Sequence, residues 1–159
     1  MRKSKINISG FKIGTAENRE GLTGVTVILA PDGGATAGVD VRGCAPGTRE
    51  TDLLDPRKTV QKIHAVVLSG GSAFGLEAAS GCVKYLAEQG VGFPIGNVCV
   101  PIVCSAVLFD LMIGDEKAYP DLLMGYEAAK SASSEFLSGC NGAGTGATAV
   151  SYTHLTLPT

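Results

Sequence analysis

The sequence predicts an α/β fold, and three observations lead to it. Two short runs rich in β-branched residues, FKIG (Phe11 to Gly14) and GVTVILA (Gly24 to Ala30), are bounded by glycine, as strands are. His64 to Leu68 is an apolar run that passes through a glycine pair into residues with helical periodicity. YPDLLMGYEAAKSASSEF (119–136) opens on Pro120, which the first turn of a helix tolerates, and continues in good helix formers.

Taken in chain order, PDGG (31–34) is turn chemistry after the second strand. TAGVDVRG (36–43) reads as another strand. GCAPGTRETDLLDPRKT (43–59) is a polar loop, long enough to suggest binding. After the buried strand at 64–68, Gly70 and Gly71 permit a tight turn and Ser72 is placed to cap a helix. Ala73, Leu76, Ala79, Val83 and Leu86 then recur at helical spacing up to Gly90, a natural C-terminal stop. VCVPIVCSAVLFDL (98–111) reads as a further strand. The expectation is two long helices with four to six strands.

A chain of 159 residues is one domain, long enough to bury a core. With 45% hydrophobic and 18% charged residues, disorder is excluded. The 22 glycines are scattered between apolar runs, which excludes a collagen-like or low-complexity chain. Net charge is −2 with no basic run, so neither nucleic acid nor an anionic membrane is an expected partner. The N-terminus, MRKSKINISGF, starts basic but leads into no apolar stretch, so it does not read as a signal peptide. The longest apolar run, Val98 to Met112, is broken by Pro101, Ser105 and Asp110 and is too short to span a bilayer. A soluble, cytoplasmic protein is expected. Five cysteines, an odd number without a CxxC pair, read as small buried hydrophobes in a reducing compartment. His64 and His154 lie far apart, so no metal and no cofactor is expected.

Two glycine-rich stretches are the candidate sites. SGGSAFG (69–75) is not a nucleophile elbow, because Phe74 stands where G-x-S-x-G needs glycine, and it lacks the Rossmann spacing. Its remaining readings are an anion site formed by the amides of Gly70, Gly71 and Ser72, or a turn with a helix cap. GAGTGAT (142–148) is no P-loop. Through Gly142, Gly144 and Thr145 it reads as a loop whose amides approach a substrate, or as a bend. His64, leading into an apolar strand, reads as a hydrogen-bonded structural histidine. Asp40, Arg42, Arg49, Glu50, Asp52 and Asp55 form a charge cluster that reads as a solvated face or internal ion pairs, with a pocket rim as the alternative.

Several stretches together resemble one family: GLTGVTVILA, GATAGVDVRGCAPGTRETDLLDP, HAVVLSGGSAFGLEAASG, VPIVCSAVLFDL, GYEAAKSA and GAGTGATA. Between Ile6 and Ala149 they resemble, in order, the DmpA-type L-aminopeptidase/D-esterases, which include β-peptidyl aminopeptidases and nylon-oligomer hydrolases. The resemblance implies an αββα sandwich and an N-terminal-nucleophile hydrolase. Such a precursor cuts its own backbone, and the newly exposed Ser or Thr becomes the nucleophile. A free α-amine titrates at about 8, so it can act as the hydroxyl's base without a histidine. An asparagine and other donors then hold the oxyanion.

Position by position, the resemblance is uneven. Phe109 stands where relatives carry an assisting tyrosine, and a phenyl ring cannot donate a hydrogen bond. VCSA (103–106) stands where many members show VPAA. After GAGTGAT, relatives continue through a glycine to a catalytic lysine, whereas here Val150, Ser151 and Tyr152 follow. Ser151 and His154 do not read as a catalytic pair, since no acid in the tail would orient the histidine. Residues 1–149 therefore read as an incomplete N-terminal (α-chain) part of a self-processing aminopeptidase, and 150–159 as a non-native tail. The chain alone is expected to be inactive and to aggregate through bare sheet surface. The complete parent is expected to act on small peptides, amides or esters, paired with the missing C-terminal half (β chain) in a homo-oligomer of αβ pairs. An ornithine-acetyltransferase-like acyltransferase and a non-catalytic phosphate-binding module are the alternatives.

Overall fold

A computed structural model of the chain describes residues 2–148. The elements run β1 (Arg2–Lys5), β2 (Lys12–Asn18), β3 (Thr23–Leu29), β4 (Thr48–Arg49) and β5 (Ala65–Ser69). A 3₁₀ segment (Ser72–Glu77) then leads into α1 (Ala78–Glu88), followed by β6 (Phe93–Ile95), β7 (Val98–Val100) and β8 (Val103–Val107). Last come α2 (Leu122–Lys130), β9 (Glu135–Ser138) and a short 3₁₀ turn (Gly142–Gly144).

The central sheet has the order β2-β3-β5-β8-β4, with β5 and β8 parallel and the other pairs antiparallel. Alternation of side chains sorts its residues into two faces. Val25, Val27 and Leu29 of β3, Ala65 and Val67 of β5 and Val103 of β8 are buried against the helices. Full burial of a valine contributes about 1.5–3 kcal/mol, and Val25, Val27 and Val67 are wholly inaccessible. The helical side of this core is built from small residues: Ala78, Ala79 and Cys82 of α1 with Ala128 and Ala129 of α2. A Cβ on Gly81 would overlap the Leu122 carbonyl oxygen, and one on Gly125 would overlap that of Ala78. The helices therefore meet backbone to backbone.

On the opposite face Thr26, Leu68 and Ala106 form one cross-strand row, and Ile28, Val66 and Cys104 the next. Leu68 is exposed there, because no second helix layer covers this side among the described residues. A helix layer on one sheet layer is half of the αββα sandwich that the sequence suggests.

Several elements depart from the sequence reading. TAGVDVRG forms no strand: Ala35, just before it, makes an isolated bridge to Ile63, and Val39 and Val41 are exposed. The run 98–111 is split at Pro101, which has no N–H to give a ladder, so β7 pairs with β6 in an exposed hairpin while β8 enters the main sheet. Pro120 lies outside α2. Asp121 is the cap, its carboxylate accepting from the Met124 amide at 2.8 Å, which stabilises the helix by about 1 kcal/mol. The helix ends at Lys130, and Glu135–Ser138 pairs with Arg2–Lys5 instead of extending it. Ser72 does not cap α1: its side chain makes no cap bond and its φ is 53°, after Gly71 at 77°. Cys82 and Cys104 are buried as expected, but Cys44, Cys99 and Cys140 are exposed, Cys99 because its strand belongs to the outlying hairpin.

Candidate functional site

The first glycine stretch is a turn held from three sides. β5 ends at Ser69, and the Gly70 amide donates to the Gly24 carbonyl at 2.9 Å. The Gly71 amide donates to Asp110 Oδ1 at 2.6 Å and the Ser72 amide to the Leu108 carbonyl at 3.0 Å. Leu108 in turn donates its own amide to the Ser69 carbonyl at 2.9 Å. Asp110, only 2% exposed, takes its second donor from Thr23, whose Oγ1 stands 2.8 Å from Oδ2.

This geometry removes the phosphate-binding alternative. An anion site needs free amides, and those of Gly70, Gly71 and Ser72 are all committed within the fold. A buried carboxylate beside them repels an anion further.

The second stretch is also tied down. The Gly142 amide donates to Glu17 Oε2 at 3.2 Å and the Ala143 amide to Thr26 Oγ1 at 3.1 Å. The amides of Gly144 and Thr145 donate to the carbonyls of Asn141 and Gly142, each at 3.0 Å. Asn141, buried, donates to Thr15 Oγ1 at 3.0 Å and accepts from Arg19 Nη2 at 3.0 Å. The loop is therefore docked on the bare face of β2 and β3 by two of its amides, and the other two close its own turn. The Thr145 hydroxyl is buried without a partner among the described residues.

The fold brings the two stretches together. Ser69, Leu68, Ala106 and Leu108 form one wall, and Thr26, Ala143 and Gly144 another, of an apolar cleft of about 320 Å³ on the open sheet face. Phe109 follows Leu108 and is 58% exposed. Phe74 and Tyr119 stack with ring centroids 4.7 Å apart, and both are exposed. Of the residues singled out from the sequence, Gly144 lines the cleft, Gly70, Gly71 and Gly142 are buried in its frame, and Ser72 and Thr145 are half-buried.

The remaining candidates are structural. His64 lies at the far end of β5 from the turn, buried, with Nδ1 accepting from the Ile102 amide at 3.1 Å. Burial holds its pKa below the ordinary imidazole value. Burial also pushes the Cys82 thiol up to about 12, and raises that of Cys104, with Glu50 adding to the effect. Such thiols are protonated and unreactive. The charge cluster resolves into exposed neighbouring pairs, Arg42 with Asp40 at 2.7 Å and Arg57 with Asp55 at 2.6 Å, while Arg49 donates to Ser80 Oγ. The Arg57 guanidinium holds the Asp55 carboxyl down at about 2. No three His, Cys, Asp or Glu side chains converge as a metal site among the described residues. Nor is any described helix long and apolar enough to cross a membrane. Ser151 and His154 lie outside the described residues.

Sequence reasoning missed Asp110, Thr23, Glu17 and Thr26. For Asp110 a signal existed: it is the one acid in an otherwise apolar stretch, where an unpaired charge is costly.

Comparison with known proteins follows from this arrangement. The sequence model of peptidase family S58 matches residues 5–153. An uncharacterized aminopeptidase of Mycobacterium bovis is 48% identical over 121 residues, covering 76% of this chain and 35% of that protein. A 6-aminohexanoate-oligomer endohydrolase of Kocuria sp. is 36% identical over 146 residues, covering 91% and 38%. Among solved structures, a protein of Pyrococcus horikoshii OT3 superposes with a TM-score of 0.71 at 22% identity, over 89% of this chain and 44% of that one. A Burkholderia sp. beta-aminopeptidase superposes with a TM-score of 0.65 at 19% identity, over 87% and 41%. The chain thus spans less than half the length of each of these proteins.

Proposed function

This chain belongs to peptidase family S58, and on that premise we propose that it is the α-chain part of a self-processing aminopeptidase whose nucleophile lies in sequence beyond it. The complete protein removes N-terminal residues from small peptides, amides or esters. Its nucleophile is a Ser or Thr freed at a backbone break, with its own α-amine as the base. Two relatives with names that denote amide hydrolysis, an aminopeptidase and an oligomer endohydrolase, support this chemistry. The family match favours hydrolysis over acyl transfer.

The observation that carries the proposal is the cleft itself. Ser69 of the first glycine stretch, Ala143 and Gly144 of the second, and Leu108 line one apolar groove on the uncovered sheet face, and among the described residues no catalytic pair lines it. Ser69 is buried with its Oγ donating to the Gly70 carbonyl at 3.1 Å. His64, the one histidine among the described residues, uses Nδ1 as an acceptor at the other end of the strand. Ala143 and Gly144 shape one wall, with Gly142 and Thr145 beside them, Gly70 to Ser72 brace the other, and Phe109 follows Leu108 of that wall as an exposed apolar residue. In the complete protein a second sheet layer covers this face and brings the nucleophile to it, in αβ pairs that assemble further in the cytoplasm.

The test is hydrolysis of an aminoacyl p-nitroanilide. The purified 159-residue chain should release no nitroaniline above the uncatalysed rate, whereas the full-length parent should turn the substrate over. Turnover by the short chain would refute the assignment of the nucleophile to the missing part.

A further inference from the structure

We infer that Asp110 is a positioning residue of this hydrolytic site, its buried carboxylate locking the Gly71–Ser72 turn and directing residue 109 outward. The inference rests on the reading above that the substrate cleft is lined by Ser69 and Leu108, which are hydrogen-bonded into this turn.

A carboxylate 2% exposed is expensive unless both oxygens are satisfied, and here they are, by Gly71 N–H and Thr23 O–H. An apolar side chain would fill the same space at lower cost. What the carboxylate adds is two acceptors in one plane, able to hold donors 39 and 87 residues away in sequence.

The turn it holds needs holding. Gly71 and Ser72 are both left-handed, with φ of 77° and 53°. A non-glycine residue in that region costs about 1–3 kcal/mol and persists only where its surroundings over-determine it. Leu108 binds both ends of the turn through its amide and carbonyl, and Asp110 binds its middle. The space was left for this: a Cβ on Gly70 would overlap Asp110 Oδ2 and Thr23 Oγ1, and one on Gly146 would lie 3.0 Å from the carboxylate.

Phe109 is 58% exposed where its neighbour Asp110 is 2% exposed. Holding Asp110 inward therefore sets the direction of residue 109. Because Asp110 itself does not reach the cleft, its effect on catalysis passes through the groups it holds.

The test uses the full-length protein with Asp110→Ala, Asp110→Asn and Thr23→Val. Misplacing a reactive frame by about 1 Å costs on the order of 100-fold, so D110A should lower kcat by roughly that factor while KM stays within about threefold. Asparagine still accepts from Gly71 and can donate to Thr23, so D110N should recover roughly tenfold of the loss. T23V, which removes one donor, should lower kcat roughly tenfold. Should D110A fail to fold, D110N and T23V decide the matter. Unchanged kcat, or a loss confined to KM, overturns the inference. A full-length wild type without hydrolytic activity would sink the proposed function instead. In that case amide exchange of Gly71 and Ser72 in the 159-residue chain decides: protection in wild type with roughly tenfold faster exchange in T23V supports the lock, and equal rates overturn it.

Discussion

His64 shows how a single residue ties stability to pH. Its ring is buried, and the bond from the Ile102 amide to Nδ1 can be made only by the neutral form. Burial lowers the folded-state pKa below 6.5, so between that value and 6.5 the unfolded chain binds more protons than the folded one. Stability contributed by neutral His64 is therefore present above 6.5 and is lost as pH falls from 6.5 through the lower folded-state value. Urea denaturation at pH 7.5 and 5.5 should show a drop in midpoint that is smaller in His64→Gln, which keeps an acceptor but does not titrate. An equal drop in both proteins would assign the pH effect elsewhere. The structural role of His64 was legible because a histidine heading a buried strand must find a partner. The role of Asp110 was only half legible. The sequence marks a charge among apolar residues, but Thr23 and Gly71, its donors, are distant in sequence and adjacent only in the fold.

Among elements, the pair α1 and α2 depends on glycine as a spacer. Adding a Cβ at Gly81 drives it into the Leu122 carbonyl, which belongs to backbone and cannot rotate away. Gly81→Val should cost about 1–3 kcal/mol as an overpacked contact, lowering Tm by about 2–4 °C per kcal/mol at this chain length. Ala87→Ser, on the exposed side of the same helix, should stay within about 0.5 kcal/mol of wild type. Thermal melts of the two variants side by side would check this, and similar Tm values would contradict the close crossing. Helices and long strands were readable because their periodicity is local. TAGVDVRG shows the limit: Ala37, Val39 and Val41 alternate as in a strand, but a strand needs a partner, and no strand pairs with theirs. Conversely, Thr48 and Arg49 sit in a polar loop and are a strand only because Ala106 and Ser105 offer them a ladder.

At the scale of the whole molecule, the decisive asymmetry is that the described residues place α1 and α2 on one side of the sheet and no helix layer on the other. Thr26, Ile28, Val66, Leu68 and Ala106 face the uncovered side. In the 159-residue chain this surface should drive association at micromolar concentration. Sedimentation velocity should show species heavier than a monomer, diminished in Leu68→Glu. A concentration-independent monomer would mean that the face needs no cover. The α/β class was within reach of the sequence, because strand and helix patterns alternate along it, whereas the sandwich came from the family resemblance alone. Which face would be left open was not, since that depends on both helices choosing the same side.

The frame around Gly71 and Ser72 also bears on portability. Its fixing groups are the Gly24 carbonyl, the Leu108 carbonyl and the Asp110 carboxylate, on β3 and beyond the end of β8, none of them within the turn itself. A peptide spanning residues 64–90, grafted onto another scaffold, would bring the glycines but leave behind every partner that gives them their shape. This turn is a property of the sheet, and it cannot be moved as a loop.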